Sequence, residues 1–579
     1  MSARVPRRVS QLGLQLLRDL STTERLVLLA IAVLHVVGLG WGLPASDGWD
    51  VDGVAPRDFL PGLVATFTPG DHYTYPPVHL AILAVLTLPV TLVALARAPS
   101  LGRTDVIQTF IDVPVMTTFA FTARIVSVLM SLGIVLAVGQ MASAIFGPRA
   151  RPWAMAIAGV EVAGTYYAHT TNLDIPALFW SSLALLVLVR AVKDDDPRKL
   201  RRVAILAALA ISSKDQAYAN FALSVPAALT GWVLDRGPGR RREVLRESLY
   251  LVLIVTGLLA CLDAAVVNPT GFAARVRYLT GPASQCCAQY SNDWPGRLAA
   301  LRDAITFLPN HYPTALAPVF GLGIVLGTLQ ARGRERIAAL VPLLAVLSFT
   351  LTFNCVARRI EERFMMPQMQ LLAVYGGGAV AVTLERGPCA RSRALAWLVR
   401  LGVISCITAG VRLSASVVAT MLGDARYDAE RYLQENARAG DVVEIYGNNV
   451  YLPRFSKDTA VQRTGPGPIT ARNPMPGIIE KQDLLGNIHE RRPRFVVVST
   501  GYAWRFLDES GEADEARVRP PGHALALADV DATSHFRDLF KGRAGYRVAH
   551  VAHYQGSYLL PPRPLGATLG SDVWIFERQ

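Results

Sequence analysis

The side chains able to do chemistry in this chain fall in a few short polar segments, each set between long apolar runs. Asp47, Asp50, Asp52 and Asp58 follow the first apolar run, and Asp71-His72-Tyr73-Thr74-Tyr75-Pro76-Pro77-Val78-His79 comes next. His169, Thr170, Asn172 and Asp174 form another group, Lys214 and Asp215 a further one, and Arg358-Arg359-Ile360-Glu361-Glu362-Arg363-Phe364 the last. Cations of this kind can hold a phosphate whose hydrocarbon tail stays in a bilayer, while a carboxylate deprotonates an incoming hydroxyl. Taken singly, an aspartate in an external loop is explained by solvation. Several ionisable groups at one membrane boundary are costly and point to function.

The elements that must position these groups are membrane-spanning helices. Of the 579 residues, 51% are hydrophobic and only 18% charged, with a mean hydropathy of +0.31. The apolar residues come in blocks long enough to cross a bilayer, about eleven of them, with single spans expected near 121–146 and 153–170 among others. Lys and Arg number 58 against 45 Asp and Glu, a net charge of +13. On a soluble chain that excess would suggest nucleic acid. Here the basic residues sit in short loops between apolar blocks and set orientation instead, so no nucleic-acid partner is expected. The six cysteines are scattered and form no zinc pattern. With no phosphate-binding glycine loop and no dinucleotide fingerprint, no cofactor is expected, and no residue is assigned as a metal ligand.

Arg4, Arg7, Arg8, Arg18 and Arg25 precede or open the first apolar run, which places the N-terminus in the cytoplasm. Loops 148–151, 193–202, 235–246, 332–336 and 385–393 are basic and alternate with the loops 169–174, 212–218, 267–308 and 354–363 and the segment past Arg412. By the positive-inside rule the polar groups above then face outside and meet at one side of the cytoplasmic membrane. The apolar run 78–96 would invert this pattern if it crossed alone. It is expected to lie along or dip into the outer leaflet, which makes 44–120 one large external loop. The alternative is a crossing compensated by a second one through 106–121.

Beyond Gly423 the composition turns soluble. The fold class expected is therefore mainly α, a polytopic helical membrane domain over 1–423, followed by an extracytoplasmic α/β domain over 424–579. Within the latter, 424–439 reads as a helix, 442–446, 494–499 and 546–553 as strands, 536–541 as a helix, and 463–477 as a loop rich in Gly and Pro.

The motifs follow a definite order. Trp49-Asp50-Val51-Asp52-Gly53 comes first, then Tyr75-Pro76-Pro77-Val78-His79 and Ala123-Arg124-Ile125-Val126-Ser127. His169 to Pro176, Ser213-Lys214-Asp215, Glu362-Arg363-Phe364-Met365-Met366-Pro367 and Asp424-Ala425-Arg426 complete the series. In order and sidedness this resembles the C-type membrane glycosyltransferases, in particular the protein O-mannosyltransferase-like and aminoarabinose-transferase-like group, over most of the first 440 residues. Asp52 occupies the aspartate place of that family's acidic motif. Gly53 stands where a glutamate is usual, so Asp50 is a second candidate.

The resemblance implies an inverting transfer of a sugar from a polyprenyl-phosphate donor to a hydroxyl acceptor on protein, lipid or glycan, at the outer face of the membrane. Membrane lipid is then a further partner. By that analogy Asp52 is the general base, and Lys214 and Arg363 hold the phosphate, with Arg359 and Arg124 behind them. Tyr75 stands where some relatives have lysine; Tyr75 and His79 belong to the Pro-Pro element, and His169 and Asp174 line the pocket. Each has a plainer reading. Asp174 is placed to cap a helix, Arg124 to pair between helices, and Arg358 and Arg359 to pair with Glu361 or Glu362. Cys286 or Cys287 is placed to bridge to Cys355. In such enzymes the C-terminal domain helps select the acceptor; the alternative here is a passive lid. The competing functions are a transporter or flippase for a lipid-linked or anionic solute, and a scaffold for an external partner.

Overall fold

The computed structural model describes residues 20–45, 48–51, 53–100, 102–285, 288–456, 458–473, 475–507, 527–566 and 568–579. Asp47, Asp52, Cys286, Cys287 and the arginines up to Arg18 lie outside the described residues. The chain divides into two compact units. One holds the residues up to Val37, Asp58–Leu86 and Ala123–Ala415; the other holds Gly38–Arg57, Thr87–Thr122 and Ser416–Gln579. The C-terminal unit thus draws in segments that the sequence assigned to the first external loop.

The first unit is helical. Among the described residues its first helix is Thr22–Val36, which starts at a capping box in which Ser21 N donates to Glu24 Oε2 at 2.7 Å and Glu24 N to Ser21 Oγ at 3.4 Å. Among the described residues, seven helices are long and apolar enough to cross a membrane, and Pro77–Arg97 is one of them by length and composition. The helix Val113–Phe146 has 34 residues and begins upstream of the apolar block expected at 121–146. At 1.5 Å per residue it is about 50 Å long, more than the roughly 30 Å hydrocarbon core.

The block expected as one span over 153–170 is instead two helices, Ala150–Gly159 and Val162–Ala168. Glu161 causes the break. Its carboxylate is buried and accepts from Ala163 N at 2.9 Å and Gly164 N at 2.5 Å, with His311 Nδ1 on the same group. A buried carboxylate needs donors, and only a free helix start supplies backbone N–H groups. Small residues then allow close packing. A Cβ at Gly377, in the helix Glu362–Glu385, would come within 2.5 Å of Ala154 N and 2.7 Å of Ala150 O, so these two helices meet backbone to backbone.

The second unit contains a six-stranded sheet of β1 (Val442–Ile445), β2 (Ala460–Gly465), β3 (Ile478–Gln482), β4 (Phe495–Ser499), β5 (Tyr546–Ala552) and β6 (Val573–Arg578). The order is β3-β2-β1-β4-β6-β5. The first four strands are parallel, with Val443 opposite Val461 and Phe495; β6 runs antiparallel to both β4 and β5. Helix Ala425–Asn436 packs Ala429 and Leu433 on the face of Val443, Ile445 and Val497, while helix Leu527–Phe540 packs Phe536 and Leu539 on the face of Val496, Val498 and Phe576. Burial on both faces explains the unbroken apolar run of β4.

The sequence reading missed β2, β3 and β6, and it assigned 463–465, the end of β2, to a loop. The reason is charge. Arg463 is buried in β2 and bonded to Glu480 of the neighbouring β3, with its Nε 2.9 Å from Glu480 Oε1, so a paired arginine stands where an apolar residue would mark a strand. The helix expected over 536–541 is also longer, Leu527–Phe540.

Candidate functional site

In the first unit the polar loops are held by backbone ties. Val78 N donates to Ser212 O at 2.9 Å, which docks the Pro76-Pro77 element on the turn that carries Lys214. Ser127 Oγ donates to Thr170 O at 3.0 Å and ties the 169–174 loop to the helix carrying buried Arg124, one turn earlier. Asp174 does not cap the next helix but is its first residue, after Leu173 at the N-cap, and its N donates to Asn172 Oδ1 at 2.8 Å. Asp174 is therefore left to a different partner. Lys214 Nζ donates to Asp174 Oδ1 at 2.6 Å, with both side chains largely buried. Asp174 Oδ2 and Asn172 Nδ2 are buried without hydrogen-bond partners.

Three cations gather on one aromatic ring. Lys214 Nζ lies 5.8 Å from the centre of the Phe364 ring, Arg359 Cζ 4.9 Å and Arg363 Cζ 4.4 Å. The ring's negative faces attract cations that would otherwise repel one another. Glu361, at the start of helix Glu362–Glu385, bridges two of them: Arg359 Nε and Nη2 donate to its Oε1 at 3.0 and 2.7 Å, and Arg363 Nε to its Oε2 at 3.2 Å. Two carboxylates thus pair with these cations, Asp174 with Lys214 and Glu361 with Arg359 and Arg363.

Arg358 is not part of this cluster. It adopts a left-handed backbone, φ 55°, and its guanidinium donates to Gln285 Oε1 at 3.1 Å and to Tyr290 O at 2.8 Å, while its own carbonyl accepts from Gln289 N at 2.8 Å. It thus anchors Gln285, Gln289 and Tyr290. His169 is likewise engaged: its two ring nitrogens lie 2.7 Å from the carbonyls of Thr165 and Val37. His79 is fully buried, and neither ring nitrogen has a hydrogen-bond partner. Tyr75 is half-buried. Cys355 is a free thiol, so the bridge expected from Cys286 or Cys287 is not formed at that end.

The sequence reading missed Arg275. It lies in the helix Pro269–Thr280, inside a stretch taken for loop, and only 6% of it is exposed. Its guanidinium pairs with Asp215, donates to Tyr73 O at 3.0 Å and also to Thr74 O, and stacks 5.1 Å from the Tyr73 ring centre. Tyr73 donates to Asp263 O at 2.8 Å, and burial pushes its phenol up to about 12. Asn268 adds a second clamp, donating to Thr66 O at 3.2 Å and Asp71 O at 2.9 Å and accepting from Gly70 N at 2.9 Å. The signal was present in the sequence as an arginine inside the helical apolar stripe Phe272, Val276, Leu279.

In the second unit the acidic segment is fixed by arginines of the C-terminal part. Asp50 is buried, next to Trp49. Arg426 Cζ lies 4.0 Å from the centre of the Trp49 ring, and its Nε and Nη2 donate to Asp424 at 2.8 and 2.6 Å. Trp41 Nε1 donates to Asp424 Oδ2 at 2.9 Å, and Arg454 donates to Leu43 O at 2.7 Å while pairing with Glu430 at 2.6 Å. Among the described residues no three His, Cys, Asp or Glu side chains converge as a set of metal ligands.

Residues 113–265 match the family model for dolichyl-phosphate-mannose-protein mannosyltransferases. No curated protein matches the sequence significantly. Among solved structures, the oligosaccharyltransferase AglB from Archaeoglobus fulgidus, in complex with an inhibitory peptide and a dolichol-phosphate, is similar with a TM-score of 0.45 and 11% identity, over 96% of this chain and 88% of that one. ArnT from Cupriavidus metallidurans, bound to undecaprenyl phosphate, is similar with a TM-score of 0.47 and 14% identity, over 83% of this chain and 94% of that one. The family match, seated on the segment that holds Arg124, His169, Asp174 and Lys214, bears out the resemblance of this chain to the C-type membrane glycosyltransferases.

Proposed function

We propose that this protein is an inverting glycosyltransferase that moves a hexose or pentose from a polyprenyl-phosphate donor to a hydroxyl acceptor on protein, lipid or glycan, at the outer face of the cytoplasmic membrane. The observation that carries this reading is the gathering of three cations, Lys214, Arg359 and Arg363, around Phe364. Such a set suits an anionic leaving group whose charge grows as the glycosidic bond breaks. Its donors are charged and partly desolvated, so each hydrogen bond to phosphate is stronger than in water.

In this reading Asp174 Oδ2 and Asn172 Nδ2 meet hydroxyls of the donor sugar, because a buried acceptor and a buried donor without partners are costly unless a ligand satisfies them. Arg124 adds positive charge behind the 169–174 loop, and His169 keeps that loop against the end of the first helix. Tyr75 and His79 shape the donor side from the Pro-Pro element. Asp52 is the general base that takes the acceptor proton, with Asp50 as the second candidate.

The test is release of free polyprenyl phosphate from a panel of short polyprenyl-phosphate sugars, by full-length protein in nanodiscs with membrane extract as acceptor. Extract-dependent release that falls about a hundredfold or more in Asp52→Asn supports the reading. Absence of turnover with every donor, by folded protein, overturns it; turnover unchanged in Asp52→Asn moves the base to Asp50 or another carboxylate.

A further inference from the structure

At the membrane face that carries the basic loops, a cavity of about 720 Å³ opens in the first unit between the ends of four helices. These are Thr22–Val36, Ala150–Gly159, Glu362–Glu385 and Arg393–Leu422. Each starts or finishes at this face, so position along the helix gives depth. Ala156 lies well inward of Arg149, and Ile407 inward of Arg400, by roughly 10 Å at 1.5 Å per residue. The mouth is therefore cationic and the floor apolar.

The two arginines at the mouth differ from their neighbour Arg151, which pairs with buried Glu24 and is committed to the fold. The Arg149 side chain is 77% exposed and meets Glu385 at 3.2 Å. Arg400 lies 5.4 Å from the Trp397 ring centre. Trp153 lines the same opening, as aromatic residues do at the headgroup level.

We propose that this cavity binds one anionic glycerophospholipid, with its phosphate on Arg149 and Arg400 and one acyl chain along Val27, Ala156 and Ile407. Charge complementarity selects the headgroup: two guanidinium groups against one carboxylate, Glu385, leave a net positive mouth that prefers an anionic head over a zwitterionic one. Basic pockets between helices at the cytoplasmic leaflet, where the loop charges place this face, take such lipids. The site is separate in residues from the cluster around Phe364, so it stands or falls independently of the proposed transfer reaction.

The experiment uses the purified full chain in micelles, titrated with phosphatidylglycerol, phosphatidylcholine or a short polyprenyl phosphate. Bound lipid is counted by native mass spectrometry, and unfolding temperature is followed in parallel. A single phosphatidylglycerol adduct is expected, roughly thirtyfold preferred over phosphatidylcholine. It falls to the phosphatidylcholine level in the double variant Arg149→Gln, Arg400→Gln, and persists or tightens in Glu385→Gln, which removes the competing carboxylate. Ala156→Trp fills the floor without touching a charge and blocks the adduct, so the proposal is tested even where the double variant does not fold. Equal retention of both phospholipids, wild-type retention in the folded double variant or in Ala156→Trp, or an arginine-dependent adduct formed by the polyprenyl phosphate alone would each overturn it.

Discussion

The guanidinium of Arg426 stacks 4.0 Å from the centre of the Trp49 ring while forming a two-point ion pair with Asp424. Trp49 is in turn tied at both ends, donating its Nε1 to Leu452 O at 3.0 Å and accepting at its carbonyl from Thr568 Oγ1 at 2.7 Å. The segment bearing Asp50 is thereby fixed to residues past Ser416 within the second unit. Arg426→Ala leaves the buried Asp424 carboxylate with Trp41 Nε1 but without its cation, and is expected to destabilise the second unit by about 3 kcal/mol. Asp424→Asn in the same chain should recover part of that loss. Thermal unfolding of the single and double variants measures it; an unchanged midpoint in Arg426→Ala would refute the role.

Lys214→Gln removes a charged hydrogen bond from the proposed phosphate site. It is expected to raise the KM for a polyprenyl-phosphate donor by about tenfold to a hundredfold, while Arg358→Gln, which touches Gln285 and Tyr290 instead, changes KM far less. Steady-state kinetics over a donor series checks this; equal effects of the two substitutions would show that the cluster around Phe364 is structural.

Arg275→Gln breaks the ties from helix Pro269–Thr280 to Asp215 and to the Tyr73 and Thr74 carbonyls. Faster amide hydrogen exchange is expected across 66–75, with a loss of stability of about 3 kcal/mol from the uncompensated Asp215. Asp215→Asn in the Arg275→Gln background should restore stability without restoring slow exchange. Exchange mass spectrometry distinguishes the two effects.

His535 gives the second unit a pH dependence. Burial, aided by the charge of Arg491, holds its imidazole down at about 3, against an ordinary 6.5. Below the ordinary value the unfolded chain takes up a proton that the folded one refuses, so stability falls as pH drops from about 7 toward 3, by about 1.4 kcal/mol per pH unit from this group alone. His535→Phe, with a ring that suits the contacts to Tyr446 and Phe536, is expected to flatten the slope between pH 6.5 and 5. Unfolding midpoints at a series of pH values test this, and an identical slope in the variant would reject it.

A cysteine at position 97, in an otherwise cysteine-free chain, reports on the apolar helix Pro77–Arg97. Labelling from outside is expected if 44–120 is one external loop. Labelling from the cytoplasmic side alone would instead require this helix to cross and a second crossing to follow it.

Hydropathy and charge are local properties, which is why the sequence alone determined the membrane class, the expected sidedness of the loops and the turn to soluble composition past Gly423. It also singled out Lys214, Asp174, Arg359 and Arg363, because charged residues stand out against apolar runs. Partner choice is not local. Asp174 looked as fit to cap a helix as to bind a ligand until the fold made it the first residue of that helix and set Lys214 beside it. Glu161 inside an apolar block carried no sign of the helix break that its buried carboxylate imposes. Arg275 was hidden in an apparent loop, and β2 and β3 were hidden by the Arg463 and Glu480 pair. Only tertiary structure decided these, since each depends on groups far apart in the chain whose burial makes an unpaired charge too costly to leave alone.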